Sequence, residues 1–303
     1  MKVLVTGAAG LIGSNVVKIL EERGDKVIAL DDFSHGNFKN IKDCKCEVIC
    51  ADILKESIYQ KLPKIDGVIH EAAITDTTLK DDKLILMVNF EGFKNVFNFC
   101  AKKKIKLVYI SSAGVYGDGP SPMKESQNPK PLNAYAYSKY LCDCYAQKLM
   151  SKKALPRIVG IRYFNVYGPG EYHKGSAASM IYQLYLQMKA DRRPRIFKFG
   201  GQKRDFIYVK DAARLTVEAL TLKRDVIVNV GTGKARSFND IIAALNKTMK
   251  TNLEPDFFDN PYAAAYQDFT EADINLLKKN FEHPPKFGLE DGIHDYVSNY
   301  LNK

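Results

Sequence analysis

Short apolar runs alternate with amphipathic segments through the first half of the chain. The runs are rich in Val, Ile and Leu, and in the segments between them apolar residues recur every three or four positions. We predict strands at 2–6, 26–30, 47–50, 67–70, 107–110 and 157–163, and helices at 11–22, 88–100 and 132–151. Strands separated by helices pair in parallel with right-handed crossovers. The pattern therefore predicts an α/β fold with a doubly wound parallel sheet, whose ligand lies at the carboxyl ends of the strands.

The second half of the chain is less regular. We predict helices at 176–189, 211–222, 237–249 and 291–302, and strands at 195–199, 206–209 and 226–230. Residues 1–165 are expected to form the parallel-sheet domain, to which segments at about 206–232 and 264–280 return. Residues 166–205 and 233–303 are expected to form most of a smaller C-terminal lobe that binds substrate.

The net charge of +10 raises the question of a nucleic-acid partner. The lysines are spread along all 303 residues, and no basic block alternates with aromatic residues. We therefore predict no nucleic-acid binding and interpret most of the charge as solvated surface. Part of it can attract anionic substrates over long range.

The six cysteines form no paired C-x-x-C motif, and no histidine cluster accompanies them. We interpret them as free thiols in a reducing cytosol, with zinc binding or a disulfide as the alternatives, and we predict no metal site. Met1 and Lys2 precede a predicted strand directly, which leaves no room for a signal peptide. No apolar run has the length of a membrane span. We therefore expect a cytoplasmic protein with no membrane partner.

A glycine-rich turn follows the first predicted strand and opens the first predicted helix. Its sequence is Gly7-Ala8-Ala9-Gly10-Leu11-Ile12-Gly13. Small residues let the backbone approach a pyrophosphate, and the helix N-terminus offers free N–H groups and the positive end of a dipole. The spacing is G-x-x-G-x-x-G, and its position between strand and helix makes it specific. The turn predicts a nicotinamide dinucleotide site.

The ends of the next strands extend this predicted site. Asp31 and Asp32 end the second strand, where an acid accepts hydrogen bonds from the adenosine ribose and repels a 2′-phosphate. This favours NAD over NADP, although Lys39 can offset the two acids. The cofactor set is completed by residues that follow the third and fourth strands, namely Asp52, Ile53, Ala72 and Ala73.

A pair of residues with acid–base chemistry lies on the predicted helix 132–151. Tyr135 and Lys139 are one helical turn apart on one face. The lysine ammonium favours loss of the phenol proton by charge proximity, so Tyr135 can exchange protons near neutral pH. Ser112 ends the fifth strand, and its hydroxyl can hydrogen-bond the reacting oxygen. We predict that these three residues are catalytic.

The glycine turn, the strand-end serine and the Tyr-x-x-x-Lys pair occur together in this order. With them the chain resembles the extended short-chain dehydrogenase/reductase superfamily, in its sugar-nucleotide-modifying branch. The resemblance implies a Rossmann domain, NAD or NADP as cofactor, and a triad of Ser112, Tyr135 and Lys139. It also implies that Asn89 supports the nicotinamide side and that the chain forms a homo-oligomer.

The resemblance is more specific after the sixth predicted strand. Residues 162–169 read Arg-Tyr-Phe-Asn-Val-Tyr-Gly-Pro, and 170–179 continue as Gly-Glu-Tyr-His-Lys-Gly-Ser-Ala-Ala-Ser. This extension, with matches at 70–78, 203–206 and 266–273, resembles the ADP-glyceromanno-heptose 6-epimerase family over nearly the whole chain.

That family resemblance implies a reaction and a substrate. ADP-D-glycero-D-manno-heptose would become its L-glycero epimer by oxidation of C6″ to a ketone and re-reduction on the other face. Such an isomerase serves lipopolysaccharide or other surface-glycan assembly, and its family uses NADP. The resemblance assigns Lys174 as a second acid–base residue beside Tyr135. It places substrate contacts at Asn165, Ser176, Gln183, Phe199, Arg204 and Tyr266.

Three departures from the family pattern lie near the expected substrate. Residues 113–115 read Ala-Gly-Val in place of Ala-Ala-Thr, Gln183 stands where the family often has His, and the loop 199–202 is about one residue shorter. They bear on the identity of the sugar or nucleotide and leave the redox chemistry unaffected.

Other functions remain open on the sequence. A UDP-hexose 4-epimerase shares the triad and Asn165 but does not need His173 and Lys174. A 4,6-dehydratase needs a further acid and base after the strand-end serine, which Ala113 and Gly114 cannot supply. A non-catalytic NAD(P)-binding redox sensor is the alternative from another class, and the intact triad argues against it.

Overall fold

The computed structural model describes residues 1–77, 79–151, 157–260 and 268–302. The strands in these residues are β1 (Lys2–Thr6), β2 (Lys26–Asp31), β3 (Glu47–Cys50), β4 (Gly67–His70), β5 (Lys106–Ser112), β6 (Ile158–Tyr163), β7 (Asn165–Tyr167), β8 (Arg195–Phe197), β9 (Lys203–Tyr208), β10 (Val226–Val230), β11 (Ala235–Ser237) and β12 (Asp256–Phe258). The α-helices are α1 (Leu11–Glu22), α2 (Ser57–Lys61), α3 (Asp82–Leu86), α4 (Gly92–Lys103), α5 (Ala134–Met150), α6 (Met180–Lys189), α7 (Val209–Ala219), α8 (Phe238–Met249), α9 (Asn275–Asn280) and α10 (Leu289–Tyr296).

The main sheet is parallel and has the strand order β10-β6-β5-β4-β1-β2-β3 within the described residues. The chain builds outward from β1 to β3 on one side and then crosses over to β4 on the other, so the order reverses beside β1. The register pairs Thr6 with His70 and Ser112 with Tyr163, which brings the carboxyl ends of the strands to one edge. A ligand crevice forms at such a reversal. The predicted doubly wound parallel sheet is confirmed.

Alternate residues of the central strands fill two hydrophobic layers. Val3 and Val5 face a layer that contains Val16 and Leu20 of α1, whereas Leu4 faces the layer of Phe93 on the other side. This alternation follows from the two-residue period of a strand. Burial on both faces explains the continuous apolar runs in the sequence.

A second group of elements forms its own core. A three-stranded sheet has the order β11-β9-β7, and β12 pairs with β8. Ile181 and Leu184 of α6 pack with Ile241 of α8 and Ile293 of α10 in one buried cluster. Strands β7, β11 and β12 have three residues each and were missed by the sequence prediction, because an apolar–polar alternation needs a longer run to be visible.

Several helix boundaries differ from the predictions for local reasons. The predicted helix 132–151 begins at Ala134 because the Asn133 side chain accepts a hydrogen bond from the Ala136 N–H at 2.9 Å. The predicted helix 176–189 begins at Met180, after a separate short turn at Gly175–Ala177, with Ser179 as its N-cap. The segment Met87–Glu91, predicted as the start of an α-helix, is a π-helical turn before α4.

All six cysteines are free thiols. Among the described residues, none of the helices combines the length and apolarity needed to cross a membrane.

Candidate active site

A cavity of about 530 Å³ opens at the carboxyl edge of the main sheet. One side of the cavity is formed by the glycine turn, and a second side by Ser112, Tyr135 and Lys139. The third side is formed by His173, Lys174 and Ala177. The crevice predicted from the strand pattern is therefore lined by three segments that are far apart in sequence.

The glycine turn is tightly packed against its surroundings. Gly7 has φ +66°, and a Cβ there would lie 2.6 Å from the Ala72 nitrogen. A Cβ on Gly13 would lie 2.1 Å from the Gly7 carbonyl oxygen. Gly10 is the N-cap of α1, and no side chain caps the helix there. The free N–H groups of the first turn therefore face a cavity that a pyrophosphate fits.

The acidic end of β2 lines the cavity beside the glycine turn. Asp31 is buried and accepts hydrogen bonds from the N–H groups of Ala9 and Phe33, both at 2.8 Å. Burial raises the pKa of the Asp31 carboxyl. Asp32 and Gly36 also line the cavity, and a Cβ on Gly36 would lie 2.7 Å from Asp31 Oδ1. The arrangement leaves room for a ribose beside two carboxylates.

The predicted triad comes together at the end of β5 and the start of α5. Lys139 is buried, and its ammonium donates to the Ile110 carbonyl oxygen at 3.0 Å. The same ammonium lies 5.9 Å from the centre of the Tyr135 ring. The Ser112 hydroxyl oxygen accepts from the Gly114 N–H at 3.0 Å. A phenol, an ammonium and a hydroxyl therefore line one wall of the cavity.

A buried ionic network fixes α5 behind this wall. Arg162 Nε donates to Asp143 Oδ2 at 2.8 Å, and the two side chains are each 2% exposed. The hydroxyls of Tyr109 and Ser111 donate to the same carboxylate at 2.9 and 3.0 Å. Because Asp143 lies one turn after Lys139, the network holds the helix face that carries the triad.

The segment 168–179 is fastened to the cofactor side of the cavity. The Asn15 side-chain amide donates to the carbonyl oxygens of Leu11 and Pro169, both at 2.8 Å. The Asn40 side-chain amide donates to the carbonyl oxygens of Ala9 and Gly170, both at 2.9 Å. We call 168–179 the lysine loop, because it carries Lys174 into the cavity. The two asparagines connect this loop directly to the glycine turn.

A half-buried carboxyl group that the sequence did not single out, Glu71, lines the cavity at the end of β4. The Tyr163 hydroxyl donates to Glu71 Oε1 at 3.2 Å and also contacts the Thr216 hydroxyl. Burial raises the pKa of Glu71 to about 8, against the lowering effects of the Tyr163 hydrogen bond and the Lys139 charge. The group can therefore bind a proton at neutral pH.

The structure brings most predicted cofactor residues to the cavity, with two exceptions. Gly7, Gly10, Leu11, Ile12, Gly13, Asp31, Asp32, Asp52, Ile53, Ala72 and Ala73 line it. Lys39 lies outside the lining, in a short exposed turn. Asn89 is buried and does not line the cavity. Its side chain accepts a hydrogen bond from the Ile74 N–H at 2.8 Å and donates one to the Ile74 carbonyl oxygen at 3.0 Å.

None of the predicted substrate residues that the structure describes lines this cavity. Asn165 is exposed on β7, and Arg204 lies on the neighbouring strand β9. Gln183 donates to the carbonyl oxygens of Ser176 and Ala178, and so braces the lysine loop. The Phe199 side chain is 74% exposed. Tyr266 lies outside the described residues.

Several cavity residues were not predicted from the sequence. These residues lie on loops that line the cofactor site, and they are Ser34, His35, Gly36, Asn37, Glu71, Thr75, Asp76, His173 and Ala177. The signal for Glu71 was available, since a charged residue directly after an apolar strand lies at the carboxyl edge of a parallel sheet. The loop residues gave no such signal, because their places depend on contacts across the chain.

The family model for the NAD dependent epimerase/dehydratase family matches residues 3–231. The chain belongs to this family. The match spans the glycine turn, the Ser–Tyr–Lys wall and the lysine loop. It confirms the family and the nicotinamide dinucleotide, NAD or NADP, predicted from the sequence.

Curated and solved relatives cover nearly all of the chain. An ADP-L-glycero-D-manno-heptose-6-epimerase of Brachyspira hyodysenteriae is 36% identical, over 97% of this chain and 96% of its own length. The structure of the Helicobacter pylori ADP-L-glycero-D-manno-heptose-6-epimerase is 35% identical, with a TM-score of 0.91 over 98% of this chain and 95% of that one. A UDP-glucuronic acid 4-epimerase of Bacillus cereus, solved with UDP-glucuronic acid and NAD, is 30% identical, with a TM-score of 0.87 over 98% of this chain and 99% of that one.

Proposed function

We propose that this chain epimerises ADP-D-glycero-D-manno-heptose to ADP-L-glycero-D-manno-heptose at C6″. The observation that carries the proposal is that Lys174 lines the same cavity as Tyr135, Lys139 and Ser112. An epimerase that works on both faces of a ketone needs an acid–base group for each face. The identity of more than a third to a heptose epimerase over nearly the full length supports the same substrate.

The chemistry divides between the cofactor and the chain. A bound nicotinamide dinucleotide supplies the hydride acceptor and donor. Tyr135 accepts the proton of the C6″ hydroxyl as that carbon is oxidised, while the Ser112 hydroxyl donates a hydrogen bond to the oxygen. Lys139 stabilises the phenolate by its positive charge. When the ketone has turned over in the site, Lys174 donates the proton that completes re-reduction on the other face, so the net redox change is zero.

We propose NAD as the cofactor on the evidence of the two acids at the end of β2. Asp31 and Asp32 both line the cavity, whereas Lys39 lies outside its lining. Carboxylates at this position repel a 2′-phosphate. Mass spectrometry of the dinucleotide released from the purified protein tests this, and a released dinucleotide with a 2′-phosphate would refute it.

The alternative function is a UDP-hexose 4-epimerase. It is favoured by the likeness to the UDP-glucuronic acid 4-epimerase and by Gln183 in place of the family's frequent His. It would use the same Ser112, Tyr135 and Lys139 but would leave Lys174 without a part in proton transfer.

One experiment separates the two functions. The purified protein is incubated in parallel with ADP-D-glycero-D-manno-heptose and with UDP-glucose, and the products are followed by NMR. We expect inversion at C6″ of the heptose and no change in UDP-glucose. Inversion at C4 of UDP-glucose with no turnover of the heptose would refute the heptose assignment.

The remaining expectations extend this proposal. We infer a cytoplasmic homo-oligomer, in which segments 166–205 and 233–303 form most of the substrate-binding lobe. The core shared by α6, α8 and α10 supports this division, since it is built separately from the layers on the main sheet. Light scattering of the purified protein tests the oligomeric state.

A further inference from the structure

Glu171 is a fully buried carboxylate to which the proposed reaction assigns no part. It lies in the lysine loop, three residues before Lys174, and it is 0% exposed. Burial of a carboxylate is costly unless the charge is paired and hydrogen-bonded. We therefore expect the carboxylate at this position to have a specific role that offsets the cost of burying it.

The carboxylate closes the lysine loop at both ends. Its Oε1 accepts from the Gly168 N–H at 3.1 Å and from the Ser179 hydroxyl at 2.9 Å. Its Oε2 accepts from the Ser179 N–H at 2.6 Å. The Glu171 backbone carbonyl oxygen accepts from the Lys174 N–H at 2.9 Å. One side chain thus joins the two ends of the segment that presents Lys174.

These hydrogen bonds satisfy the carboxylate oxygens but do not neutralise the charge. Burial raises the pKa of Glu171, and the hydrogen bonds from Ser179 and Gly168 and the Lys174 charge lower it. Two phenols, Tyr182 of α6 and Tyr296 of α10, also face this carboxylate, and Tyr296 hydrogen-bonds to it. Burial raises the pKa of both phenols, and the Glu171 charge raises it further. Lys174 is the cation that acts on Glu171.

Lys174 in turn is surrounded by few charged groups. Burial lowers the pKa of its amine, whereas the negative charges of Glu171 and then Asp76 raise it. Asp76 comes from the loop after β4 and lines the same cavity. His173 is the neighbouring titratable group, and burial and then the Lys174 charge lower its pKa. Loss of the Glu171 charge would leave Asp76 as the nearby carboxylate that opposes the effect of burial.

We propose that Glu171 is a positioning residue that fixes the lysine loop and places its own negative charge near the Lys174 amine, so that Lys174 acts as the acid on its face of the ketone. The inference rests on the proposed function, because it concerns the second acid–base residue of that reaction. The tethers from Asn15 and Asn40 hold the preceding residues Pro169 and Gly170, so Glu171 acts within a loop that is already fixed to the cofactor turn.

The first test measures the Lys174 protonation directly and needs no substrate. Lysines labelled with ¹³C at Cε are titrated by NMR in the dinucleotide-bound protein, and the Lys174 signal is assigned by its loss in Lys174→Arg. We expect Glu171→Gln to lower the Lys174 pKa by about one unit or more, since a nearby opposite charge shifts a pKa by about 1–3 units. An unchanged Lys174 pKa in a folded Glu171→Gln protein would overturn the proposal.

Two control variants separate charge from loop structure. Ser179→Ala removes the hydroxyl that donates to the carboxylate and caps α6, but it keeps the Glu171 charge, so the Lys174 pKa should stay at the wild-type value. Where Glu171→Gln fails to fold, Lys174→Gln provides the reciprocal measurement, because coupling between two sites is symmetric. The pKa of Glu171, followed by its ¹³C carboxyl signal, should then rise, and no rise would overturn the proposal.

The second test follows the reaction with ADP-heptose. In Glu171→Gln the alkaline limb of the pH profile of kcat/KM should move to lower pH, by the same amount as the Lys174 pKa measured by NMR. In Ser179→Ala the alkaline limb should stay at the wild-type pH. A moved NMR titration with an unmoved rate profile would overturn the catalytic part of the inference. Absence of heptose turnover in the wild-type protein would refute the proposed function, and the NMR measurement keeps the two failures distinct.

Discussion

Arg162 and Asp143 form an ion pair in the interior behind the triad, with the Arg162 Nε 2.8 Å from Asp143 Oδ2. Each side chain is 2% exposed. Tyr109 and Ser111 share the carboxylate, and Arg162 also donates to the Tyr116 hydroxyl at 2.9 Å. Helix α5, which carries Tyr135 and Lys139, is therefore joined to β6 by a charge pair and to β5 by two hydrogen bonds, and the pair has little access to water.

Removal of one partner of this pair should destabilise the protein strongly. Asp143→Asn leaves the Arg162 charge buried and unpaired, and we expect the free energy of unfolding to fall by about 3–5 kcal/mol. Urea unfolding followed by circular dichroism measures the change. The matched control is Glu91→Gln at the exposed pair with Lys94, which should change stability by less than about 0.5 kcal/mol. Equal effects in the two variants would contradict the interpretation.

The close packing of the glycine turn predicts a loss of cofactor binding in Gly13→Ala. The new Cβ would lie 2.1 Å from the Gly7 carbonyl oxygen, and a backbone atom cannot move aside cheaply. We expect a loss of about 1–3 kcal/mol in stability and a purified protein depleted of dinucleotide. Absorbance and chromatography of the denatured protein measure the dinucleotide content. The control is Gly201→Ala, where a Cβ meets no atom within 4 Å, and it should keep the wild-type stability and dinucleotide content.

The position of Tyr135 in the cavity predicts that removal of its hydroxyl group strongly lowers the rate of epimerisation. Tyr135→Phe removes the hydroxyl that exchanges the proton, and we expect the turnover of ADP-heptose to fall about 10²- to 10⁴-fold with the fold intact. Initial rates by NMR measure the fall. The control is Tyr137→Phe, two residues along the same helix and 44% exposed, which should keep the wild-type rate. A wild-type rate in Tyr135→Phe would remove Tyr135 from the mechanism.

The Glu71 carboxyl predicts a pH dependence of stability. Its pKa is about 8 in the folded chain and has an ordinary value of 4.5. Between these values the folded state holds a proton that the unfolded state releases, so the contribution of this group to stability falls as pH rises through the window. Glu71→Gln cannot ionise and should gain stability over the wild type at pH 8 by about 3–4 kcal/mol, relative to the same comparison at pH 5.

Urea unfolding of the dinucleotide-free protein at both pH values measures the Glu71 effect. Glu22→Gln, at an exposed position near the end of α1, serves as the control and should follow the wild-type pH dependence. Parallel behaviour of Glu71→Gln and wild type would show that Glu71 keeps an ordinary pKa in the folded chain.

The parts of the site that follow directly from local sequence could be predicted. Gly7 and Gly13 border a strand and a helix, and the parallel sheet fixes the edge at which they meet Ser112. Tyr135 and Lys139 share a helix face because of the helical period. These positions needed no knowledge of distant contacts, and the structure brings all of them to the cavity.

The rest of the site depends on contacts between distant segments. Asn15 meets Pro169 and Asn40 meets Gly170 at separations of 154 and 130 residues, and no local pattern encodes such pairs. The resemblance places Asn89 on the nicotinamide side of the site, and in the structure its side chain hydrogen-bonds the backbone of Ile74. Amide side chains serve equally as ligand contacts and as backbone braces, so the residue type alone could not decide.

The tethers of Asn15 and Asn40 also constrain how the protein could be redesigned. They make the lysine loop and the dinucleotide turn a single mechanical unit, so an exchange of the loop for that of another enzyme would disturb cofactor binding at the same time. Segments outside this unit, such as 195–204 with the exposed Phe199, can vary without that penalty. A change of sugar preference is therefore expected to be easier to obtain there than beside Lys174.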